Sequence, residues 1–186
     1  MNKIFVVSDT HFGHCQNFIY IPRGFQSIQE HDEAIIAAWN EVVDKDDIVY
    51  HLGDVMLGDN DHGIECLRRL NGKIKIIPGN HDTPSRQSLY RNCENVEVYP
   101  IAYLMRYKKY VFYLSHYPTL TSNLDSDKSL CARVINLCGH SHTTDKFQDI
   151  DKGTIYHVEL DAHHNTPVLL DNIIEDLKNK MKKGEE

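Results

Sequence analysis

The segment Lys73-Ile74-Lys75-Ile76-Ile77-Pro78-Gly79-Asn80-His81-Asp82 decides the fold class, because a predicted strand over 73–77 stops at a turn and is followed at once by polar side chains. Four more predicted strands end in the same way, at Asp9-Thr10-His11, Gly53-Asp54, Ser115-His116 and Gly139-His140-Ser141-His142. Loops beyond the carboxyl ends of strands gather into one crevice in α/β sheets. We therefore expect these five turns to converge on one site.

The remaining pattern predicts helices and strands that alternate in the first half of the chain. Helices are predicted over 27–43, where Ser27 and Glu30 have capping-box spacing, and over 64–70 and 171–182. Further strands are predicted over 3–7, 47–51, 96–99, 101–107, 110–114, 134–137 and 154–160. Alternation indicates parallel strands with crossovers, and the strand-rich second half indicates an antiparallel or mixed sheet. The sequence thus predicts an α/β fold with two mixed β-sheets flanked by helices.

Length and composition fit one domain over residues 1–186, with a charged tail over 180–186 that we expect to fray. Hydrophobic residues make up 41% of the chain, and five cysteines occur without a Cys-x-x-Cys pair. This cysteine pattern argues against a disulfide framework and favours a reducing cytoplasm, and no apolar run has the length of a membrane span. The net charge of −7 and the lack of an evident nucleic-acid-binding segment favour a small phosphorylated substrate. The oligomeric state is left open.

Histidine is over-represented, with 12 residues in 186, and it is the commonest metal ligand among side chains. In an Asp-x-His sequence at a strand end, as at Asp9 and His11, both side chains lie on the same side and can reach one ion. His140 and His142 repeat this spacing. Oxygen and imidazole ligands without a thiolate suit Mn²⁺, Fe, Ni²⁺ or Zn²⁺ better than Ca²⁺ or Mg²⁺.

The five blocks, in this order from residue 9 to residue 142, resemble the calcineurin-like metallophosphoesterase superfamily, whose pattern is Asp-x-His, Gly-Asp, Gly-Asn-His-Asp/Glu, His and Gly-His-x-His. The opening segment 8–14 also resembles a branch of small bacterial and phage-type members. The resemblance implies a four-layer αββα sandwich that holds two divalent metal ions, Mn²⁺ foremost, with Fe, Ni²⁺ or Zn²⁺ as alternatives. It assigns Asp9, His11 and His142 to the first ion, Asn80, His116 and His140 to the second, and Asp54 to both.

The resemblance also implies hydrolysis of a phosphate ester by a hydroxide that bridges two ions, which lie about 3.5–4 Å apart in such sites. His81 is the candidate catalytic residue, because a histidine in this position can stabilise the transition state or donate a proton to the leaving oxygen. The candidate substrate contacts are His14, Asn80 and His81.

One departure from the superfamily pattern argues against a protein phosphatase. In protein phosphatases of the superfamily an aspartate three residues after the Gly-Asp aspartate pairs with the catalytic histidine, whereas this chain has Leu57, and the nearest acids are Asp59 and Asp82. The small size of the chain favours a phosphodiesterase that acts on a small or nucleotide-like substrate. The alternatives are a phosphomonoesterase, a nuclease and a non-catalytic scaffold of the same fold.

The other histidines and several arginines are interpreted as structural or solvated. We expect His31 and His62 on exposed helix surfaces, His51 and His157 within strands, and His163-His164 in a loop. Solvated side chains are expected at four arginines, with phosphate contact as the alternative: Arg23, Arg86, Arg91 and Arg133.

Overall fold

The computed structural model describes residues 2–121, 129–148 and 155–183, and these contain two five-stranded sheets. The strands are β1 Ile4–Val7, β2 Ile48–His51, β3 Lys73–Ile76, β4 Val96–Val98, β5 Ala102–Tyr107, β6 Tyr110–Ser115, β7 Val134–Cys138, β8 Phe147–Gln148, β9 Ile155–His157 and β10 Val168–Leu169. The helices are α1 Asn17–Tyr20, α2 Ile28–Val42, α3 Asn60–Arg68, α4 Pro84–Tyr90 and α5 Leu170–Lys183. The predicted α/β fold with two mixed sheets and helices is confirmed.

Both sheets have parallel strands at their centres. The first has the order β10-β1-β2-β3-β4, in which β1 to β4 are parallel and β10 is antiparallel. The second has the order β5-β6-β7-β9-β8, in which β6, β7 and β9 are parallel and the two edge strands are antiparallel. A bridge between Ser8 and Glu159 joins the end of β1 to the segment after β9. This bridge brings the carboxyl ends of parallel strands from both sheets together.

Alternating side chains of the first sheet pack into two separate hydrophobic cores. Phe5 and Val7 of β1 pack in one core with Trp39 of α2 and with residues of α3. Val6, between them, packs in the other core with Phe112 of β6 and with residues of α5. This two-residue period is that of a strand covered on both faces. The first sheet therefore lies between helices on one face and the second sheet on the other.

Four short elements were not predicted from the sequence: α1, α4, β8 and β10. Helix α4 does carry local signals, because Thr83 caps it by accepting from the Arg86 N–H and Pro84 lies in its first turn. Strand β10 has two residues that pair with β1, so its formation depends on a partner that is distant in sequence. Helix α3 begins at Asn60, before the predicted start, since Asp59 caps it.

The last predicted strand and the charged tail also differ from expectation. The strand predicted over 154–160 is β9, which ends at His157, and position 154 lies outside the described residues. Helix α5 continues to Lys183, so the part of the tail that the structure describes is helical, and 184–186 lie outside the described residues. Within the described ranges, no helix combines the length and apolar character needed to cross a membrane.

The prediction of an exposed His31 is wrong. Its side chain is fully buried in α2, where Nδ1 lies 2.8 Å from Asp32 Oδ1 and Nε2 lies 3.0 Å from Arg23 Nη1. The partners of a buried histidine become visible only when the chain has folded, so a polar residue on a helix is easily assigned to the surface. His62 is partly buried, and its side chain is 39% exposed. Two histidines lie buried in strands as predicted: His51 in β2 and His157 in β9.

We expect the metal-free protein to lose stability as the pH falls from 7 to 5, because His163 is buried. Burial lowers the pKa of His163 from 6.5 to about 4. A folded-state pKa below the unfolded value means that protonation favours the unfolded chain, so this stability is complete above pH 6.5 and decreases as the pH falls towards 4. Between pH 7 and pH 5, protonation of this histidine alone should lower the free energy of unfolding by about 2 kcal/mol.

Urea unfolding at the two pH values measures this loss in the wild type and in His163→Gln. The glutamine amide retains a donor for the His157 carbonyl oxygen, which lies 2.9 Å from His163 Nε2, but it does not titrate. The variant should therefore lose less stability than the wild type over the same pH interval. An equal loss in both proteins would contradict the assignment to His163.

Candidate metal centre

The turns that follow β1, β2, β3, β6 and β7 meet in one place, as the sequence predicts. Two groups of side chains occur here, and within each group all ligand atoms lie within 4.8 Å of one another. The first metal group is Asp9, His11 and His142, and the second metal group is Asp54, His116 and His140. Asn80 joins the second group, because its Oδ1 lies 2.9 Å from His116 Nε2.

The backbone at these turns is unusual, because five of the grouped residues have a positive φ. The angles are 59° at Asp9, 49° at His11, 57° at Asp54, 73° at His140 and 48° at His142. The left-handed region costs a non-glycine residue about 1–2 kcal/mol, and such strain is characteristic of functional sites. The fold therefore holds these side chains in place at a local energetic cost.

Two glycines allow the turns to approach one another. A Cβ at Gly139 would overlap the Asp9 carboxylate and the Ser8 hydroxyl, and a Cβ at Gly79 would overlap the Asp54 carboxylate. Each glycine thus lies directly against a carboxylate of one metal group. A side chain at either position would have to displace that carboxylate.

Asp9 directs one carboxylate oxygen at the first metal group. Its Oδ2 accepts a hydrogen bond from the His140 N–H at 2.9 Å. Its Oδ1 is buried, has no hydrogen-bond partner among the described residues, and lies 3.7 Å from both His11 Nε2 and His142 Nε2. These two imidazole nitrogens are 3.1 Å apart. A buried carboxylate oxygen without a partner is costly, and a cation between these three atoms would satisfy it.

Asp54 belongs to the second metal group and also approaches the first. Its Oδ1 accepts from the His81 N–H at 2.9 Å. Its Oδ2 lies 3.5 Å from His116 Nε2 and 3.8 Å from His11 Nε2, which belong to different groups. One carboxylate oxygen is therefore fixed by the backbone, and the other is placed within reach of both groups.

The ring orientation of two histidines is fixed by the atoms behind them. His116 Nδ1 lies 2.8 Å from the Leu52 carbonyl oxygen, to which it donates, so its Nε2 is left as an acceptor directed at the site. His142 Nδ1 lies 3.2 Å from Asp161 Oδ2. A carboxylate or carbonyl behind an imidazole is the usual support of a metal-binding histidine. Asp161 is a residue that the sequence interpretation missed.

Arg23 is the second missed residue. The expectation of a solvated side chain is wrong for it and for Arg133, because both are buried. Its guanidinium donates to both oxygens of Asp161, at 3.0 and 2.7 Å, and to the Asp9 carbonyl oxygen at 2.8 Å. Its side chain is 1% exposed. Arg23 thus links both ends of the first metal group, through the backbone of Asp9 and through the carboxylate behind His142. Asp161 lies 138 positions away, so no local pattern could have revealed the pair.

A third cluster, Asp32, His62 and Cys66, could also hold an ion by distance. Its carboxylate already accepts from the Gly13 N–H at 3.0 Å and lies 2.7 Å from His62 Nε2. Burial raises the pKa of the Cys66 thiol to about 12, which keeps it protonated. We assign this cluster a structural role, because Asp32 fixes Gly13 in the loop that carries His11.

Asp82 supports the site through the backbone and does not orient His81. Its carboxylate accepts from the N–H groups of Asp54 at 2.7 Å and Gly79 at 2.8 Å, and from the Tyr90 hydroxyl at 2.7 Å. The side chain of His81 is 37% exposed, with Nε2 3.9 Å from Asp54 Oδ2. Asp59, the other candidate, caps α3. His81 is therefore directed towards the metal groups and solvent.

His14 lies beside the first metal group, as its position in the sequence suggested. Its ring centroid is 5.3 Å from that of His11 and 6.4 Å from that of His81. The exposed ring of Phe18 packs against it edge-on, with centroids 5.5 Å apart. His14 therefore connects the metal groups to the surface beside them.

The electrostatics of the groups suit a bound cation. Burial lowers the pKa of His11 to about 4, so the ring is neutral and able to bind metal at pH 7. Burial alone would raise the pKa of Asp9, but the neighbouring histidines hold that pKa below its ordinary range. Burial raises the pKa of Asp54, as expected for a carboxylate in need of a counter-charge. Oxygen and imidazole donors with inward lone pairs fit divalent metal ions.

The fold and the paired ligand groups define a class of protein, the two-sheet α/β proteins with two adjacent candidate sites for divalent metal ions. The pattern described as the calcineurin-like phosphoesterase superfamily domain matches residues 2–159. The chain belongs to this superfamily.

The chain is also similar to individual proteins. An uncharacterized protein of Methanocaldococcus jannaschii is 33% identical over 177 residues, which are 94% of this chain and 90% of the relative. The gene 66 protein of Mycobacterium phage L5 is 36% identical over 87 residues, 45% of this chain and 42% of that protein. The crystal structure of an Aquifex aeolicus protein of unknown function has a TM-score of 0.71 and 21% identity, and the match covers 94% of this chain and 99% of that one. This last likeness is one of fold.

Proposed function

We propose that the protein is a phosphodiesterase that uses two divalent metal ions to hydrolyse a small diester. The observation that carries the proposal is the position of Asp54 Oδ2, which lies 3.5 Å from His116 Nε2 and 3.8 Å from His11 Nε2. A carboxylate oxygen between two ligand groups is suited to join two ions. The first group would hold one ion, and the second group with Asn80 the other.

When bound, the ions, for which we propose Mn²⁺, would lower the pKa of an attacking water and draw charge from the phosphoryl oxygens. The chain itself supplies position and proton transfer. Arg23 and Asp161 hold the first group in place, and the Leu52 carbonyl fixes the ring of His116. His81 would donate a proton to the leaving oxygen as the bond from phosphorus to that oxygen breaks.

The test is to purify the protein without chelator, measure its metal content, and assay bis(p-nitrophenyl) phosphate and p-nitrophenyl phosphate with and without Mn²⁺. About two metals per chain and faster hydrolysis of the diester support the proposal. Faster hydrolysis of the monoester would favour a phosphomonoesterase, and cleavage of a labelled oligonucleotide would favour a nuclease. No metal and no turnover with Mn²⁺, Ni²⁺ or Zn²⁺ would favour a scaffold.

His81→Ala should slow hydrolysis in a way that depends on the leaving group. A proton donor matters most when the leaving oxygen is strongly basic, and general acid catalysis contributes about 100-fold or more. We therefore expect about a 100-fold loss of kcat with an alkyl leaving group and a much smaller loss with p-nitrophenolate. Steady-state kinetics on two diesters with these leaving groups measure the difference. Equal losses on both substrates would show that His81 does not protonate the leaving oxygen.

A further inference from the structure

A cavity of about 730 Å³ lies next to the metal groups, on the side of His14. Its walls include His14, Cys15, Ile28, Leu57, His62 and Arg86. His14 also faces the first metal group, with its ring 5.3 Å from that of His11. Arg86 donates to the His81 carbonyl oxygen at 2.7 Å. The cavity therefore lies next to the metal centre, with His14 and Arg86 between them.

We propose that this cavity holds the nucleoside of a nucleoside phosphodiester, so that the phosphate reaches the metal groups beside it. The inference rests on the proposed function and names the substrate class for that site. Ligand cavities are mostly apolar and carry a few polar groups that fix orientation. Ile28 and Leu57 provide apolar side chains, His14 provides an aromatic face, and Gln29 provides a hydrogen-bonding group.

The charges of the cavity favour a neutral organic group over a second phosphate. The one arginine in its wall is engaged, because Arg86 donates from Nε to Asn60 Oδ1 at 3.1 Å and from Nη1 to the His81 carbonyl oxygen. Asp59 also lines the cavity, and its carboxylate would repel an anion. The polar groups among the apolar walls suit a flat base with hydrogen-bonding edges better than a hydrocarbon chain.

Close packing fixes the position of two glycines that line the cavity, Gly13 and Gly58. The Gly13 N–H donates to the buried carboxylate of Asp32 at 3.0 Å. A Cβ at Gly13 would lie 3.3 Å from the His62 ring, and a Cβ at Gly58 would overlap the Gly13 carbonyl oxygen. The loop that carries His14 and Cys15 is thus held at a defined distance from the wall at 57–59, as a site for a rigid ligand requires.

Hydrolysis follows the same chemistry as in the proposed function. For thymidine 5′-(p-nitrophenyl phosphate), the oxygen of water forms a bond to phosphorus and the bond to the p-nitrophenyl oxygen breaks. The products are thymidine 5′-monophosphate, p-nitrophenolate and the proton released from water.

The experiment compares three diesters with the same leaving group in the Mn²⁺-loaded protein: thymidine 5′-(p-nitrophenyl phosphate), methyl p-nitrophenyl phosphate and p-nitrophenyl phosphorylcholine. Base stacking and apolar burial should raise kcat/KM for the thymidine diester at least about 10-fold over the methyl diester. Leu57→Trp, which fills the cavity, should remove this preference by lowering kcat/KM for the thymidine diester about 10-fold more than for the methyl diester. The inference would be overturned by any of three results: equal kcat/KM for all three diesters, a preference for the choline diester, or an equal loss of kcat/KM on all substrates in Leu57→Trp.

A binding measurement tests the cavity without relying on turnover. In a Cys131→Ser background, Cys15 is the exposed cysteine among the described residues. Thymidine 5′-monophosphate should slow its reaction with N-ethylmaleimide, whereas methyl phosphate at the same concentration should not. Equal protection by both would overturn the nucleoside assignment. If the protein hydrolyses the methyl diester but shows neither a preference for the thymidine diester nor protection of Cys15 by thymidine 5′-monophosphate, only this inference is refuted. If the metal-loaded protein hydrolyses none of the diesters, the proposed function is refuted.

Discussion

Asp54→Asn should reduce kcat/KM for a phosphodiester by at least about 1,000-fold, because metal stabilisation of the transition state is worth several kcal/mol. The asparagine has the same size and can still accept from the His81 N–H, which now donates to Oδ1 at 2.9 Å. It lacks the negative charge that Oδ2 places between His116 and His11. The backbone support is retained, so the loss reports the charge shared by the two groups.

Kinetics and metal analysis of the same preparations measure this effect. Asp59→Asn is the matched control, because it makes the same change of charge in the segment just after β2 and an asparagine still caps α3. The control should keep its metal content and its turnover, while Asp54→Asn should hold fewer than two ions. Full activity with two bound ions in Asp54→Asn would refute the proposal that Asp54 helps to hold both ions.

Arg23→Met should destabilise the metal-free protein by about 3–5 kcal/mol, which is typical when one partner of a buried ion pair is removed. Methionine fills similar space but leaves Asp161 buried without the guanidinium, which now donates to both of its oxygens. It also releases the Asp9 carbonyl oxygen and the support behind His142. Loss of such support typically weakens metal affinity about 10–100-fold.

Urea unfolding and competition with a metal indicator measure the two effects. Arg69→Met is the control, because Arg69 also makes a two-point ion pair, with Glu33 at 2.6 Å, but the side chains are 41% and 62% exposed. An exposed pair contributes about 0.2–1 kcal/mol. Arg23→Lys keeps the positive charge but lacks the planar guanidinium, so its loss of stability should lie between those of Arg23→Met and Arg69→Met. Similar losses in Arg23→Met and Arg69→Met would contradict the role given to Arg23.

The regular elements were predictable where their signals are local. Strand β1 is a continuous apolar run, and β3 alternates lysine with buried isoleucine. Helix α2 is capped by Ser27, whose hydroxyl accepts from the Glu30 N–H at 3.1 Å. Strand β10 has two residues and exists through its pairing with β1. Sequence patterns report local preference, and pairing between distant segments is decided by the fold.

The sequence by itself determined which side chains are candidate metal ligands, because a ligand must have a particular side chain at a particular spacing after a strand. It indicated Asp9, His11, Asp54 and the three later histidines from these local patterns, and the structure brings these side chains into the two metal groups. The tertiary structure alone decided what supports them. Arg23 and Asp161 are far apart in the chain and carry no local signal, yet they share a buried ion pair against the first metal group. Long-range burial creates such pairs, since a charge can leave water only where the fold supplies its partner.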